Sequence, residues 1–374
     1  MTFIEATCDY EAWLAAAIPE PLVRADLDLK HRLLADPADP FPFFRGTYYR
    51  WARHWASAGP AADAPRVLAV GDLHVANFGT WRDADCRLCW GVNDFDEADD
   101  LPYTNDLVRL AASVRVAKKA GALDVKLGDA CDAILDGYRG CLAAGGRPFV
   151  LEEHHPHLRA LATAADRDPA TFWGKMAKLL DDPPSDPPAD ARAALEASLP
   201  ATGLKAEYRA RPGAGVGSLG RPRYVALVEW AGGRVCREAK AAAPPATAWA
   251  RGASAPCRAG EAAGRAVRAP DPIYRLAGRW VVRRLGPRSS RVELGPLRSS
   301  DLGRVLRAMG AETANVHLGT PGVGDAIQAD LGRRAGGWLA EAARSMADLM
   351  AADWAAWRSA GPLPPGGPHQ PARQ

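Results

Sequence analysis

The sequence predicts an α+β fold in which a mostly helical large lobe joins a small antiparallel β lobe. Three observations carry this. Apolar residues recur at helical spacing through much of residues 1–60, 104–180 and 300–358. Two β-type runs, 223–230 and another starting at Arg234, flank Gly232-Gly233 and read as strand, turn, strand. Short apolar runs at 67–70 and 88–92 read as buried strands with polar motifs at their ends.

Taken in order, residues 1–60 are expected to be helical, with Leu33, Leu34, Phe41, Phe43, Phe44, Tyr48, Tyr49 and Trp51 supplying core or cleft-lining bulk. The runs at 67–70 and 88–92 make a motif-bearing hairpin. Two or three helices follow over 104–180, broken near Gly121 and again near 145–148. Residues 181–191, rich in proline and aspartate, form the clearest linker. After the β hairpin, 280–285 reads as one more strand and 287–290 as a hinge-like connector. Leu302, Val305, Leu306 and Met309 share one helix face, and Trp338, Leu339, Leu349, Trp354 and Trp357 mark the last helical segments. The division is therefore 1–200 helical, 201–292 β-rich, 293–360 helices returning to the large lobe, and 361–374 a proline- and glycine-rich tail expected to be disordered.

Composition narrows the function classes. With 374 residues, 48% of them hydrophobic, the chain can bury a sizeable core. A net charge of +3 without any basic block argues against nucleic-acid binding. No apolar run approaches the roughly eighteen residues of a membrane span, and residues 1–20 are acidic where a signal peptide is basic and apolar, so a cytoplasmic protein is expected. Seven cysteines, an odd number, read as reduced thiols. Cys86-Arg87-Leu88-Cys89 has no second pair or nearby histidine and reads as two packing thiols, not a zinc site.

The densest chemistry lies in Gly71-Asp72-Leu73-His74-Val75-Ala76-Asn77-Phe78 and Asn93-Asp94-Phe95-Asp96-Glu97-Ala98. Asp72 and Asn77 are five apart, which suits neither one helix stripe nor one strand face, so their convergence needs a loop. Asp94 ends the second strand, where it can face the same point. Two carboxylates and an amide suit magnesium, a hard cation that takes oxygen ligands and keeps waters for a phosphate to displace. Asp-x-x-x-x-Asn, a strand and then Asp-Phe resembles the catalytic loop and metal-binding aspartate of the protein-kinase-like superfamily, particularly its aminoglycoside and choline phosphotransferase branch. Asn105-Asp106-Leu107, opening an apolar-periodic helix, matches the Asp-Leu-Ala helix of those enzymes. More closely, Gly-Asp-x-His-x-x-Asn-Phe-Gly, Asn-Asp-Phe-Asp-Glu-Ala and Asp-Leu-x-Arg-Leu-Ala-Ala-Ser together look like DUF2252, an uncharacterised bacterial family, over most of the chain.

Gly215, Gly217 and Gly220 form a G-x-G-x-x-G. A Rossmann fingerprint should open a helix, but Pro222 and a strand follow. The resemblance makes this stretch, with Ser218, a phosphate-covering loop, while a glycine-rich surface turn is the plainer alternative. The resemblance also implies a cation for the α and β phosphates, held by a glutamate from the next helix. Lys240, the last lysine, and Glu261 take those roles, with Arg237 as the other candidate cation. Residues 237 and 240 point to opposite strand faces, so only one enters the cleft, and Lys240 is chosen. Because the glycine-rich loop follows the catalytic loop instead of preceding it, the resemblance implies a circularly permuted, two-lobed kinase-like fold.

Its implied function is ATP- and magnesium-dependent phosphoryl transfer to an unknown hydroxyl acceptor, a small molecule or a protein. Asp72 is the base or positioning group, Asn77 and Asp94 are the magnesium ligands, and Asp96 with Glu97 adds a second metal contact or a helix cap. His74 contacts acceptor or phosphate, or else bonds its own backbone. Asp106 belongs to the catalytic set and braces the loop more than it touches substrate. Arg45 lines the acceptor site or pairs with a buried carboxylate. A degenerate nucleotide-binding regulatory module is the alternative. A metal-dependent phosphoesterase, suggested by Gly-Asp-x-His, ranks lower because the downstream Asn-His cluster is missing and the glycine-rich loop would be unexplained.

Overall fold

Thr2 and Glu5 open the chain with a capping box: the Thr2 hydroxyl accepts from the Glu5 amide, and the Glu5 carboxylate accepts from the Thr2 amide at 2.7 Å. This starts α1 (Phe3–Ala17), followed by α2 (Arg24–Leu34), α3 (Phe41–Gly46) and α4 (Tyr48–Trp55). The computed structural model describes residues 1–152, 154–163, 168–289 and 299–360. The aromatic bulk of the first sixty residues closes on itself. Tyr10 stacks on Tyr49 with centroids 4.4 Å apart, and Phe3 meets Phe43 at 5.2 Å and Trp357, in the last helix, at 5.5 Å.

Strands at 67–70 and 88–92 are present but do not form a hairpin with each other. β1 (Arg66–Ala69) pairs antiparallel with β4 (Asp99–Pro102), and β2 (Phe78–Arg82) pairs with β3 (Leu88–Val92). Sequence reasoning missed β2 and β4, since Asp99-Asp100-Leu101-Pro102 has no β signature. The turn between β2 and β3 leaves Cys86 exposed at φ 61° while Cys89 is buried, so only one of that pair packs; all seven cysteines are free.

α5 (Tyr103–Lys119), α6 (Leu127–Ala143), α7 (Pro156–Ala162), α8 (Pro169–Leu180) and α9 (Ala189–Glu196) follow, one or two helices more than expected before residue 181. The small sheet combines β5 (Glu207–Ala210), β6 (Arg223–Trp230), β7 (Gly233–Ala241), β8 (Arg275–Ala277) and β9 (Trp280–Leu285) in the antiparallel order β5-β6-β7-β9-β8. Ala231 and Gly232, both at positive φ, make the tight β6–β7 turn, and Gly233 already belongs to the strand.

The period-two alternation of β6 and β7 sorts their side chains. One face, Ala226, Ala239, Ala241, Trp280 and Val282, packs on Ala191, Ala194 and Leu195 of α9. The other carries Val225, Leu227, Cys236 and Leu285 beside Met176 of α8 at one end, and Arg223, Glu238, Lys240 and Arg283 at the other. Both α8 and α9 thus pack on the sheet, and the helical lobe assigned to 1–200 gives way to the small lobe earlier than that.

α10 (Ala246–Arg251) and α11 (Ala259–Arg265) lie between β7 and β8. α12 (Ser299–His317), α13 (Val323–Arg333) and α14 (Trp338–Ala360) return to the helical body, where Leu302, Val305, Leu306 and Met309 are buried as their spacing predicts. α12 crosses α6 at backbone contact: a Cβ at Gly137 would stand 1.8 Å from the Arg307 carbonyl, and one at Gly310 2.0 Å from that of Ile134. The connector at 287–290 begins as a turn closed by a Gly286–Ser289 bridge; its last residue and the tail at 361–374 lie outside the described residues. No helix among the described residues is long and apolar enough to cross a membrane.

Candidate functional site

The loop after β1 is held from two helices. The Val70 and Gly71 amides donate to the two carboxylate oxygens of Asp106 on α5, at 2.7 and 2.9 Å, and Asn105 Nδ2 donates to the Gly71 carbonyl at 3.0 Å. Asp106 also meets His317 Nε2 of α12 at 3.0 Å, and His317 Nδ1 meets the Tyr138 hydroxyl at 2.7 Å. Asp106 and His317 are wholly buried, so Asp106 braces the loop from within the core. Its four partners use its acceptor capacity.

So braced, the loop presents Asp72 to Arg109, whose Nε and Nη2 donate to Asp72 Oδ1 at 2.9 and 2.6 Å. Arg109 is itself fully buried, donates to the Phe44 carbonyl and lies 3.7 Å over the Phe44 ring. Burial pushes the Asp72 carboxyl up despite Arg109. His74 Nδ1 accepts from the Ala76 amide at 3.2 Å, which puts the proton of the neutral ring on Nε2, 3.9 Å from Asp72 Oδ2. Of the two readings of His74, the structure has the backbone bond, with the ring turned toward Asp72.

Asn77 is buried, and its Oδ1 has no hydrogen-bond partner. The Asp94 side chain is 45% exposed, 4.0 Å from Lys240 Nζ. Asp96 is not free to join a metal as expected: it is wedged between Arg221 and Lys240. Burial would raise its carboxyl, but these two cations hold it below the usual range. Glu97 accepts from the Ala246 amide at 2.6 Å. Burial pushes its carboxyl up to about 8 against that bond.

Lys240 is the cation that enters the cleft, and Arg237 is not. Arg237 lies on the α9 side of the sheet, where it donates to the Ser198 carbonyl at 2.8 Å and the Cys236 carbonyl at 3.0 Å. The expected pairing of Lys240 with Glu261 is absent. Glu261 binds Arg258 and Arg265 on its own helix, because neighbours Gly260, Ala263 and Gly264 turn toward the cleft and leave it facing outward. Asp96 takes its place. Beside Lys240, Glu238 collects Arg211, Arg223 and Arg283. Burial opposes its charge, yet the three guanidiniums hold the carboxyl well below its ordinary value.

The glycine-rich loop joins β5 to β6 and is fastened to α2: the Gly213 amide donates to Asp26 at 3.0 Å, and the Gly220 carbonyl accepts from the Val23 amide at 2.8 Å. Residues 216–218 form one tight helical turn, and Ser218 Oγ accepts from Arg223. A Cβ at Gly217 would lie 3.2 Å from the Arg45 carbonyl and 3.9 Å from Asp72 Oδ2, so this glycine lets the loop pass directly over Asp72.

Two cavities result. The larger, ≈ 560 Å³, has cationic walls from Arg211, Arg223, Lys240, Arg268 and Arg283 and an aromatic side at Trp81, Phe95 and Tyr274. The smaller, ≈ 40 Å³, is lined by Tyr10, Lys30, Tyr48, Asp72, His74 and Glu97. They share Arg45, Asn77, Asp94, Gly215 and Ser218. Among the described residues no three His, Cys, Asp or Glu side chains converge as a metal-ligand group. A hard cation would instead rest on the Asp94 carboxylate and the Asn77 amide oxygen. These fit it, since Asn77 Oδ1 is an orphaned acceptor and Asp94 borders both cavities.

A family model described as "Uncharacterized protein conserved in bacteria (DUF2252)" matches residues 23–178 and 150–360. The chain belongs to this family. No curated protein and no solved structure matches it. The three sequence motifs fall around the cavities: Asp72 and His74 line the smaller one, Asn77 and Asp94 border both, and Asp106 and Arg109 stand behind them. Arg109, Glu238, Arg221 and Lys30 were missed by sequence reasoning. Arg109 had a signal as the arginine of Asp-Leu-x-Arg-Leu-Ala-Ala-Ser, and Arg221 had one beside Pro222 just past the last loop glycine.

Glu97 gives a pH prediction. The folded protein keeps a proton on Glu97 that the unfolded chain releases in the ordinary glutamate range, so stability present at lower pH is lost as pH rises through about 8. Glu97→Gln, which still accepts from Ala246, should flatten that slope by about 1 kcal/mol or more between pH 5 and 8 in urea titrations. Identical slopes in both proteins would contradict it.

Proposed function

We propose that this protein is an ATP- and magnesium-dependent phosphotransferase with a circularly permuted, protein-kinase-like arrangement, acting on a hydroxyl acceptor. The observation that carries the reading is the meeting of a large cationic cavity and a small carboxylate-bearing one at Asn77, Asp94, Gly215 and Ser218. A nucleotide fits the first by size and charge, its base beside Trp81, Phe95 or Tyr274 and its phosphates toward Lys240 and Arg223. The antiparallel sheet standing over a helical body, with a glycine-rich turn reaching into the cleft, agrees with it.

In this reading Asp94 and Asn77 would hold magnesium, which when bound would supply charge neutralisation at the transferring phosphate. Arg109 fixes Asp72 through Oδ1 and leaves Oδ2 toward His74 and the loop. Asp72 takes the acceptor's hydroxyl proton as the acceptor oxygen bonds to the γ-phosphorus, and the β–γ bridging oxygen departs with its electron pair as ADP. Gly215, Gly217 and Ser218 cover the phosphate and exclude water.

Phosphorus NMR of ATP, magnesium, protein and a mixture of hydroxyl compounds tests this. ADP and a new phosphomonoester should rise together. Nucleotide binding without either product would favour the second reading, a nucleotide-binding regulatory module, which the engagement of Lys240 by Asp96 instead of a helix glutamate supports.

A further inference from the structure

Lys30 is used by nothing described so far. It lies on α2, is 3% exposed, and lines the smaller cavity. Its ammonium has no carboxylate within ion-pair distance and no hydrogen bond among the described residues, and rests 6.0 and 5.9 Å from the ring centroids of Tyr10 and Tyr49. Glu11, the nearest acid on the neighbouring helix, is bound to His31 at 2.7 Å. The Tyr48 hydroxyl, also lining this cavity, is buried with no partner. The Tyr48 hydroxyl is thus a buried donor lacking an acceptor, and the Lys30 ammonium lines the same cavity with ring contacts as its partners, so an anionic ligand there would complete both.

The acids in the cavity do not serve that purpose. Asp72 is committed to Arg109, Asp96 to Arg221 and Lys240, and Asp94, at the cavity's border, lies 4.0 Å from Lys240 Nζ. Glu97 accepts from the Ala246 amide, and burial pushes it up to about 8, so it stands mainly protonated near neutrality. Burial lowers the Lys30 ammonium, with Glu11 pulling the other way. At ≈ 40 Å³ the cavity takes a small ligand, and its two donors match the two oxygens of a carboxylate.

We infer that the smaller cavity binds the carboxylate of a small hydroxy acid, with Lys30 and the Tyr48 hydroxyl as its donors, so that the hydroxyl beyond it points to Asp72. This rests on the phosphotransferase reading for what happens to the hydroxyl, but not for the binding. A carboxylate held by one ammonium and one hydroxyl accepts two charge-assisted hydrogen bonds.

Ligand-observed NMR with glycerate, glycerol and glycerol phosphate on the full chain without nucleotide tests it. Glycerate should bind saturably, about tenfold or more tighter than glycerol. Lys30→Met, which keeps the apolar stem against the tyrosines, and Tyr48→Phe should each weaken glycerate with little effect on glycerol, and Lys30→Arg should restore part of the loss. Equal binding of glycerol and glycerate, preference for glycerol phosphate, unchanged glycerate binding in Lys30→Met, or no glycerate binding to folded wild type would overturn the inference. Magnesium–ATP binding measured on the same samples reports separately on the phosphotransferase reading: its absence beside Lys30-dependent glycerate binding would sink that reading alone.

Discussion

Asp106→Ala should cost about 3–5 kcal/mol of folding stability, the largest loss expected from any single polar substitution in the helical body. The carboxylate is fully buried and accepts from the Val70 and Gly71 amides, Asn105 Nδ2 and His317 Nε2. Alanine leaves those four donors in the interior with no water to replace the acceptor. The damage should be directed as well as large, since two of the donors are the backbone that sets the position of Asp72. Asp106→Asn, keeping the shape and one acceptor oxygen, should cost less. Urea denaturation of the three proteins checks the order, and a change below about 1 kcal/mol for alanine would show that the loop is not anchored there.

Asp72→Asn should slow phosphomonoester formation on the order of a hundred- to ten-thousand-fold, the usual contribution of a general base, while magnesium–ATP binding persists. The amide keeps the volume of the carboxylate and one oxygen for Arg109, so positioning is largely spared and the lost property is proton acceptance. Burial raises the Asp72 carboxyl against the pull of Arg109, which makes its carboxylate a stronger base than that of an exposed aspartate. Leaving Arg109 in the interior without its counter-ion will lower the melting temperature, so rates must be compared well below the transition. Equal rates in the two proteins would remove Asp72 from the chemistry.

Much of the junction was legible because its parts are local in sequence. Asp72, His74 and Asn77 sit within one loop, and Asp94 ends a strand whose apolar run is visible. The choice of Lys240 over Arg237 followed the alternation of a strand and needed only the correct parity. The supporting charges were not legible. Arg109 stands in the Asp-Leu-x-Arg-Leu-Ala-Ala-Ser motif, but helical spacing alone does not tell a guanidinium buried under Phe44 from one facing water. Glu238 reads as one charge in an alternating strand, and its three arginines come from β6, β9 and the segment after β5, 15, 45 and 27 positions away. The assignment of Glu261 failed for a related reason. Spacing placed it on the right helix, but which side of a seven-residue helix faces the cleft depends on packing that the sequence does not encode locally.

The central claim is that a magnesium nucleotide sits where the two cavities meet, and calorimetric titration of ATP with and without magnesium, into wild type and Asp94→Ala, tests it most directly. Asp94 is 45% exposed and about as far as ion-pair distance allows from Lys240, so the variant should fold normally. The prediction is binding that depends on magnesium in wild type and falls at least about tenfold in Asp94→Ala, the loss of one charged ligand to the cation. No ATP binding by folded wild type, or equal binding by both proteins with and without magnesium, would contradict it.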